Sequence, residues 1–300
     1  MPRSSDIPTP PASTRVLSAD VAAFVTKVAA RGRDLYRDHP WRRTRDPYAV
    51  LVSEVMLQQT QVPRVVGRWC EWLDRFPTLE VLAAAPLEPV LREWQGLGYN
   101  RRAIALKRAA EEVVARFEGV LPRDEAALRA LPGIGPATAS GVRAFAFELP
   151  GVYLETNVRA VFLHELFSDR DGVRDREIAP LVAAAVEEAA RQGISPRDWN
   201  YALLDYGTQL KRDLPNPSRR SAHHTRQTAF EGSRRQKRAR LLRAVMAAPG
   251  RDADAYALDL SEMERRDRPT SPAPTEVIEL LEALALDGFI AREGDCWFVA

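Results

Sequence analysis

The chain has 300 residues, 45% of them hydrophobic, and a formal net charge of +2, enough apolar material for one large core or two smaller ones. No apolar run approaches the length that spans a bilayer, and the opening "MPRSSDIPTPPASTR" lacks the apolar centre of a secretory signal, so a cytoplasmic globular protein without a membrane partner is expected. The only two cysteines, Cys70 and Cys296, lie far apart and exclude both a disulfide framework and a site of four thiolates.

In chain order, residues 1–16 are rich in Pro, Ser and Thr and are expected to be disordered. The stretch "SADVAAFVTKVAARGRDLYRDHP" predicts a helix capped at Ser18, with Val21, Phe24, Val25 and Val28 at helical spacing, ending before Pro40. Pro47 suits the first turn of the next helix, which contains "LVSEVMLQQTQV". "FPTLEVLAAAPLEPVLREW" divides into two short helices, and "NRRAIALKRAAEEVVARFEG" is one longer helix closed by Gly119. No strand pattern or internal repeat occurs before about residue 210, which makes the fold mainly α.

The composition then changes. From Lys211 to Arg240 ten Lys or Arg stand against Asp213 and Glu231, a patch that suits phosphates and equally a solvated linker, here placed at residues 213–232. Residues 233–300 regain helical pattern in "RRQKRARLLRAVMAAPG" and "APTEVIELLEALALDG", then show two apolar runs, "FIAR" and "CWFV", joined by "EGD". Helices followed by a terminal hairpin describe a winged-helix-like module or a small three-helix packing domain.

Three local features carry chemistry. Glu54 stands in a helix that is otherwise apolar nearly all round: Val50, Leu51 and Leu57 flank it, and Val52, Val55 and Met56 lie opposite. A carboxyl in such surroundings requires a partner or a raised pKa, and proteins tolerate that at functional sites. "LPGIGPATASGV" puts Gly133 and Gly135 in a turn between two helices, where the chain can approach another surface closely and offer the unpaired amides of a new helix to a phosphate. Glu155 opens a helix over "TNVRAVFLHELF"; on its own this placement is explained by the helix dipole, with Thr156 or Asn157 as a further cap.

Taken together, "PWRRTRDPY", "SEVMLQQTQV", "FPTLEVLAAAP", "GLGYNRRA", "LPGIGPATA" and "NVRAVFLHELF" occur in the order found in the helix-hairpin-helix DNA glycosylases, and the chain most closely resembles the MutY-type adenine glycosylases over roughly residues 20 to 210. The resemblance implies a two-lobed helical fold: a six-helix barrel at 46–150, and a second lobe from 17–45 and 151–212. It also implies a monomer that acts on double-stranded DNA near the bacterial nucleoid and flips a mispaired or damaged base out of the duplex. Glu54 corresponds to the acid that protonates the departing base, and Glu155 to the carboxylate that faces the positive sugar, where the family has Asp. By the same resemblance Gln59 enters the base stack, while Thr60, Leu97, Gly98 and Tyr99 meet the opposite strand. Trp41 and Arg42 lie near the base pocket, Gly133, Gly135, Ala137 and Thr138 form the phosphate-binding hairpin, and Asn157 lies beside the second carboxylate. The carbonyls of Arg129, Leu131 and Ile134 match a monovalent-cation site in related hairpins.

The departures from the family pattern are specific. Ala137 stands where strand-cutting relatives carry a Schiff-base lysine and where adenine-specific members often carry Tyr or Ser. The four cysteines of the usual 4Fe–4S cluster are absent from "DYGTQLKRDLPNPSRRSAHH", so no such cluster and no other metal are expected, and His223 and His224 read as surface residues. The winged-helix-like module stands where adenine glycosylases carry the domain that recognises 8-oxoguanine. A monofunctional glycosylase removing adenine opposite 8-oxoguanine or G is therefore expected. The rival targets are uracil, thymine or another damaged base, and the rival class is a non-catalytic binder of distorted DNA.

Overall fold

A computed structural model of the chain describes residues 12–224, 230–265 and 274–300. Its helices in order are α1 (Ala12–Asp34), α2 (Pro47–Met56), α3 (Val62–Arg75), α4 (Leu79–Ala84), α5 (Leu87–Glu93), α6 (Arg101–Phe117), α7 (Glu125–Ala130), α8 (Pro136–Phe147), α9 (Thr156–Leu166), α10 (Asp175–Arg191), α11 (Pro196–Asp213), α12 (Arg234–Ala247), α13 (Ala253–Arg265) and α14 (Pro274–Leu286). Two short strands follow, β1 (Ile290–Glu293) and β2 (Cys296–Val299). The two short helices expected before Trp94 are α4 and α5, with Thr78 Oγ1 capping α4 by accepting from the Val81 amide at 3.3 Å. The longer helix is α6, closed where Glu118 and Gly119 take left-handed φ values of 54° and 79°. One difference lies at the N-terminus: α1 already runs from Ala12, so Ser18 is inside the helix rather than its cap, and only residues 1–11 of the expected disordered segment lie outside the described residues.

The chain falls into two compact units, residues 1–50 with 134–225 and residues 51–133 with 226–300. The first is organised on α11, which is started by Pro196 and by Ser195 Oγ accepting from the Asp198 amide at 3.1 Å. Val25 and Val28 of α1, Val158 and Val161 of α9, and Trp199 and Leu203 of α11 are buried in its core, where the Phe24 ring lies 4.9 Å from Phe162 and 6.2 Å from Trp199. Expected as part of the barrel, α8 instead groups with this unit. The Phe145 ring of α8 stacks on Tyr201 of α11 at 4.4 Å, and Arg197 of α11 donates to the Phe145 carbonyl.

The segment after α11 differs from the expected solvated linker. A 3-10 turn at Pro217–Arg220 follows, Pro217, Ser218 and Ser221 are buried, and backbone hydrogen bonds pair Val173 with Arg220 and Ala222 at 3.0 and 2.9 Å. Arg220 also donates to the carbonyls of Phe167 and Ser168. Buried backbone polar groups need such partners, and here a strap supplies them where sequence composition suggested loose chain.

In the second unit, α6 packs against α4 and α5 through buried Leu106, Ala109, Ala110 and Val113, beside an edge-on pair of Trp72 and Trp94 with ring centroids 5.3 Å apart. The C-terminal module in the same unit has the element order of a winged helix. After α12, Arg251 makes an antiparallel bridge to Trp297; α13 and α14 follow, and β1 pairs antiparallel with β2 from Ile290↔Val299 to Glu293↔Cys296. Leu241, Val245, Tyr256, Leu280, Leu281 and Trp297 close its core.

Candidate active site

Every residue of α2 from Tyr48 to Met56 is buried except Glu54, which is half-buried. The helix therefore offers one carboxyl from an apolar cylinder, as the sequence pattern indicates. Its last turn is held from outside by Arg102 of α6. Nη1 of Arg102 donates to the carbonyls of Val55, Met56 and Gln58 at 2.8, 2.8 and 2.7 Å. Nη2 donates to Thr60 Oγ1 at 2.9 Å and to the carbonyls of Leu97 and Gly98 at 3.2 and 2.9 Å. The last carbonyls of a helix lack the full set of intrahelical partners, Val55 accepting only from the Gln58 amide at 3.3 Å besides Arg102, and a cation suits the negative end of the helix dipole. Burial lowers the Arg102 pKa to about 10, which still leaves it charged at neutral pH.

This one guanidinium ties two turns together. Gln59 and Tyr99 both adopt left-handed backbone, φ 53° and 49°, a conformation that costs a non-glycine residue about 1–2 kcal/mol. Both are exposed, Tyr99 next to Gly98, and the guanidinium lies 5.8 Å from the Tyr99 ring and 5.2 Å from that of Trp94. Thr60 is half-buried with its hydroxyl in the same network. Leu97, expected as a contact, is instead 3% exposed: its side chain belongs to the core and only its carbonyl takes part in the turn. Arg102 itself was missed in the sequence, since an arginine opening a helix gives no sign that carbonyls from two turns will gather on it.

The glycine turn follows α7. Gly133 has φ 73°, and a Cβ there would come within 2.6 Å of the Ala105 Cβ on α6, so close packing as well as backbone freedom requires glycine. Gly135 is the exposed N-cap of α8, with open space where a Cβ would lie and Pro136 at the first helical position. Ala137 is half-buried, whereas Thr138 is 6% exposed and lies with the core of α8 rather than on an open face. Arg129, Leu131 and Ile134, whose carbonyls were expected to suit a monovalent cation, follow one another along this turn. A small hollow in the second unit is lined by Val55, Gln58, Arg101, Arg102, Ala105, Leu106, Pro132 and Gly133; Glu54 is not among its lining residues.

The first unit holds the second carboxylate. Glu155 is the N-cap of α9: Oε1 accepts from the amides of Asn157 and Val158 at 2.5 and 2.9 Å, and Oε2 from Asn157 Nδ2 at 3.2 Å. Lys211 Nζ donates to Asn157 Oδ1 at 2.9 Å, so Asn157 stands between a cation and the carboxylate. Burial raises the Glu155 pKa, and the Val158 amide, the Lys211 charge, the Asn157 amide and the Arg159 charge oppose it without cancelling it. Since the folded pKa is raised, the stability this group contributes is fully present below its unfolded pKa and is lost as pH climbs through the folded one. Holding it ionised at neutral pH thus costs stability. Close approach of α11 makes the arrangement possible: a Cβ on Gly207 would run into the Asn157 backbone. The sequence marked Lys211 only as one member of a basic run, and Gly207 carried no signal at all.

Trp41 and Arg42 form a 3-10 turn, and both are buried. Arg42 is spent within the protein: its Nη1 and Nη2 each donate to Asp205 at 2.7 Å, its guanidinium lies 4.2 Å over Tyr201, and Arg197 donates to its carbonyl at 2.6 Å. Arg42, expected near the base pocket, thus has its guanidinium engaged by Asp205 and Tyr201, while Trp41 stacks on His39 with ring centroids 5.0 Å apart. His223 and His224 are exposed, and among the described residues no cluster of His, Cys, Asp or Glu could hold a metal. Where the family's cluster loop would lie, the strap at 214–224 contains no thiol, so its residues do not fit that cluster. No described helix is long and apolar enough to cross a membrane.

Comparison with known proteins agrees with this architecture. Residues 52–198 match the family model described as HhH-GPD superfamily base excision DNA repair protein. The chain is 32% identical over 275 residues to an adenine DNA glycosylase of Mycolicibacterium smegmatis, covering 86% of this chain and 89% of the relative. It is also 35% identical over 181 residues to a thymine/uracil-DNA glycosylase of Pyrobaculum aerophilum, covering 58% of this chain and 76% of the relative. Among solved structures, a thermostable thymine-DNA glycosylase superposes with a TM-score of 0.55 at 25% identity, over 63% of this chain and 86% of the other.

Proposed function

Because the chain belongs to the HhH-GPD superfamily of base excision DNA repair proteins, we propose that it is a monofunctional DNA glycosylase that hydrolyses the N-glycosidic bond of a flipped-out adenine opposite 8-oxoguanine or G. The observation that carries this reading is Glu54, the one residue from Tyr48 to Met56 that α2 leaves partly open. As the bond between sugar and base breaks, its electron pair leaves with the base, and Glu54 supplies the proton that makes the base a neutral leaving group. The sugar becomes cationic, and the Glu155 carboxylate faces that charge. Water then adds to the sugar carbon, its proton passing to the Glu54 carboxylate and restoring the acid. Ala137 offers no amine, so no Schiff base forms and the product is an abasic site in an uncut strand.

Gln59 and Tyr99 enter the stack at the vacated position, the backbone of Gly133 and Gly135 grips a phosphate, and Trp41 and Asn157 flank the reacting nucleotide. The protein acts as a monomer and needs no iron–sulfur cluster.

Labelled duplexes carrying A opposite 8-oxoguanine, A opposite G, U or T opposite G, and hypoxanthine, treated with alkali after incubation, are expected to reveal abasic sites first in the adenine mispairs. The 35% identity to a thymine/uracil glycosylase favours U or T opposite G as the second reading, and product there alone would replace adenine as the substrate. Strand cleavage without alkali, trapped by borohydride, would contradict hydrolysis by water. The ionised form of Glu155 is the working one, so excision declines as pH falls through its raised pKa. Lys211→Met removes a charge that lowers that pKa, and the acidic limb of the single-turnover pH profile is expected to move to higher pH. A limb that stays in place would mean that Glu155 does not set it.

A further inference from the structure

The C-terminal module carries its positive charge in an unusual place. In a winged helix the third helix ordinarily enters the major groove, but here that element, α14, bears Glu276, Glu279 and Glu282 and no Lys or Arg. The hairpin tip adds Glu293 and Asp295 next to Arg292. Facing the phosphates of a groove, such a helix is repelled. By contrast α12 carries Arg234, Arg235, Lys237, Arg238, Arg240 and Arg243 and no acidic residue, while its Leu241, Leu242, Val245 and Met246 are buried.

Two of these cations fasten the module. Lys237 pairs with Glu276 at 2.8 Å, and Arg238 pairs with Asp287. Asp287 also receives Arg101 at 2.7 and 3.0 Å, and Arg101 stands two residues after Tyr99 at the start of α6. One carboxylate thus ties α12 to the turn that presents Tyr99. At the same place Nη1 of Arg235 donates to the Tyr99 hydroxyl at 3.1 Å, and Arg234 beside it is exposed. All of these residues belong to one compact unit, and the bond from Arg235 to the Tyr99 hydroxyl sets the start of α12 beside the exposed tyrosine.

We propose that Arg234 and Arg235 form a phosphate grip on the duplex flanking the Tyr99 turn. The C-terminal module thereby binds DNA through the start of α12, independently of sequence, and not through its third helix. This rests on the reading of the chain as a DNA glycosylase. A cation at each position would neutralise backbone charge near the distorted step, where sequence-independent contacts are most useful.

The test is equilibrium binding of the full chain to a fluorescent duplex carrying a non-cleavable adenine analogue opposite G, over a range of salt concentrations. With Arg234→Gln and Arg235→Gln combined, affinity is expected to fall about tenfold and the slope of log K against log salt to flatten by about one per arginine. Tyr99→Phe removes the hydrogen bond without altering charge and is expected to keep the slope; Arg235→Lys is expected to keep most of it. Unfolding curves matching the unsubstituted chain establish that the variants are folded. An unchanged slope in the double variant overturns the proposal, as does an equal flattening in Tyr99→Phe, which would make Arg235 a support for the tyrosine alone. If the unsubstituted chain bound no duplex at all, the glycosylase reading would fail and take the grip with it. Normal binding that both arginines leave unaffected would overturn only the grip.

Discussion

Glu54→Gln is expected to reduce single-turnover excision by about 10²–10⁴-fold while leaving duplex affinity nearly unchanged, because the variant loses the transferable proton and keeps the side chain's shape. The leaving base must gain a proton as its bond breaks, and an amide cannot donate one of comparable acidity. The apolar neighbours on α2 tolerate the neutral amide well, since every other residue from Tyr48 to Met56 is already buried. Stability should therefore hold or rise slightly, which separates a chemical effect from a folding defect. Parallel titration of duplex binding and alkali-revealed product measures both quantities. Undiminished excision by the glutamine variant would sink the proposed mechanism, and loss of binding together with activity would recast Glu54 as a structural group.

The second large effect belongs to a residue remote from any proton transfer. Arg102→Met removes the donor shared by the carbonyls of Val55, Met56, Gln58, Leu97 and Gly98 and by the Thr60 hydroxyl. Each carbonyl shut away from water without a donor costs about 1–3 kcal/mol. Some regain water, and the desolvation of Arg102 itself, seen in its lowered pKa, is relieved. The Val55, Gln58 and Leu97 carbonyls keep the Gln58 amide or the Thr60 hydroxyl as donors, so we expect a net loss of about 1–3 kcal/mol in unfolding free energy, the cost of leaving about one buried carbonyl without a partner. The turns presenting Gln59 and Tyr99 are then free to leave left-handed backbone, so affinity for a mispaired duplex should fall more steeply than affinity for undamaged duplex. Denaturant unfolding and binding to the two duplexes report these losses separately. Arg102→Lys keeps the charge but not the planar fork and should lie between. Wild-type stability and binding in Arg102→Met would show that the two turns are held by other contacts.

Much of this protein was settled by local sequence. The helices follow from apolar spacing, Pro47, Pro136 and Pro196 begin helices, and Gly133 marks a turn that only a residue without Cβ can make, because each of these signals acts within a few residues of itself. Glu54 was legible for the same reason: one carboxyl interrupts an unbroken apolar run. Only the tertiary structure decided which polar side chains were left for function. Arg42 is consumed by Asp205 across 163 positions of chain, and Lys211 reaches Asn157 across 54, a pairing that places a cation beside the Glu155 cap. Gly207 is needed because a second helix passes over it, and Arg102 is half-buried where five carbonyls from two turns distant in sequence converge on it. Leu97 and Thr138 sit in motifs that pointed to DNA, yet packing turns their side chains inward. Long-range partners of this kind leave no periodic trace in sequence, since the geometry that joins them exists only once the helices have packed.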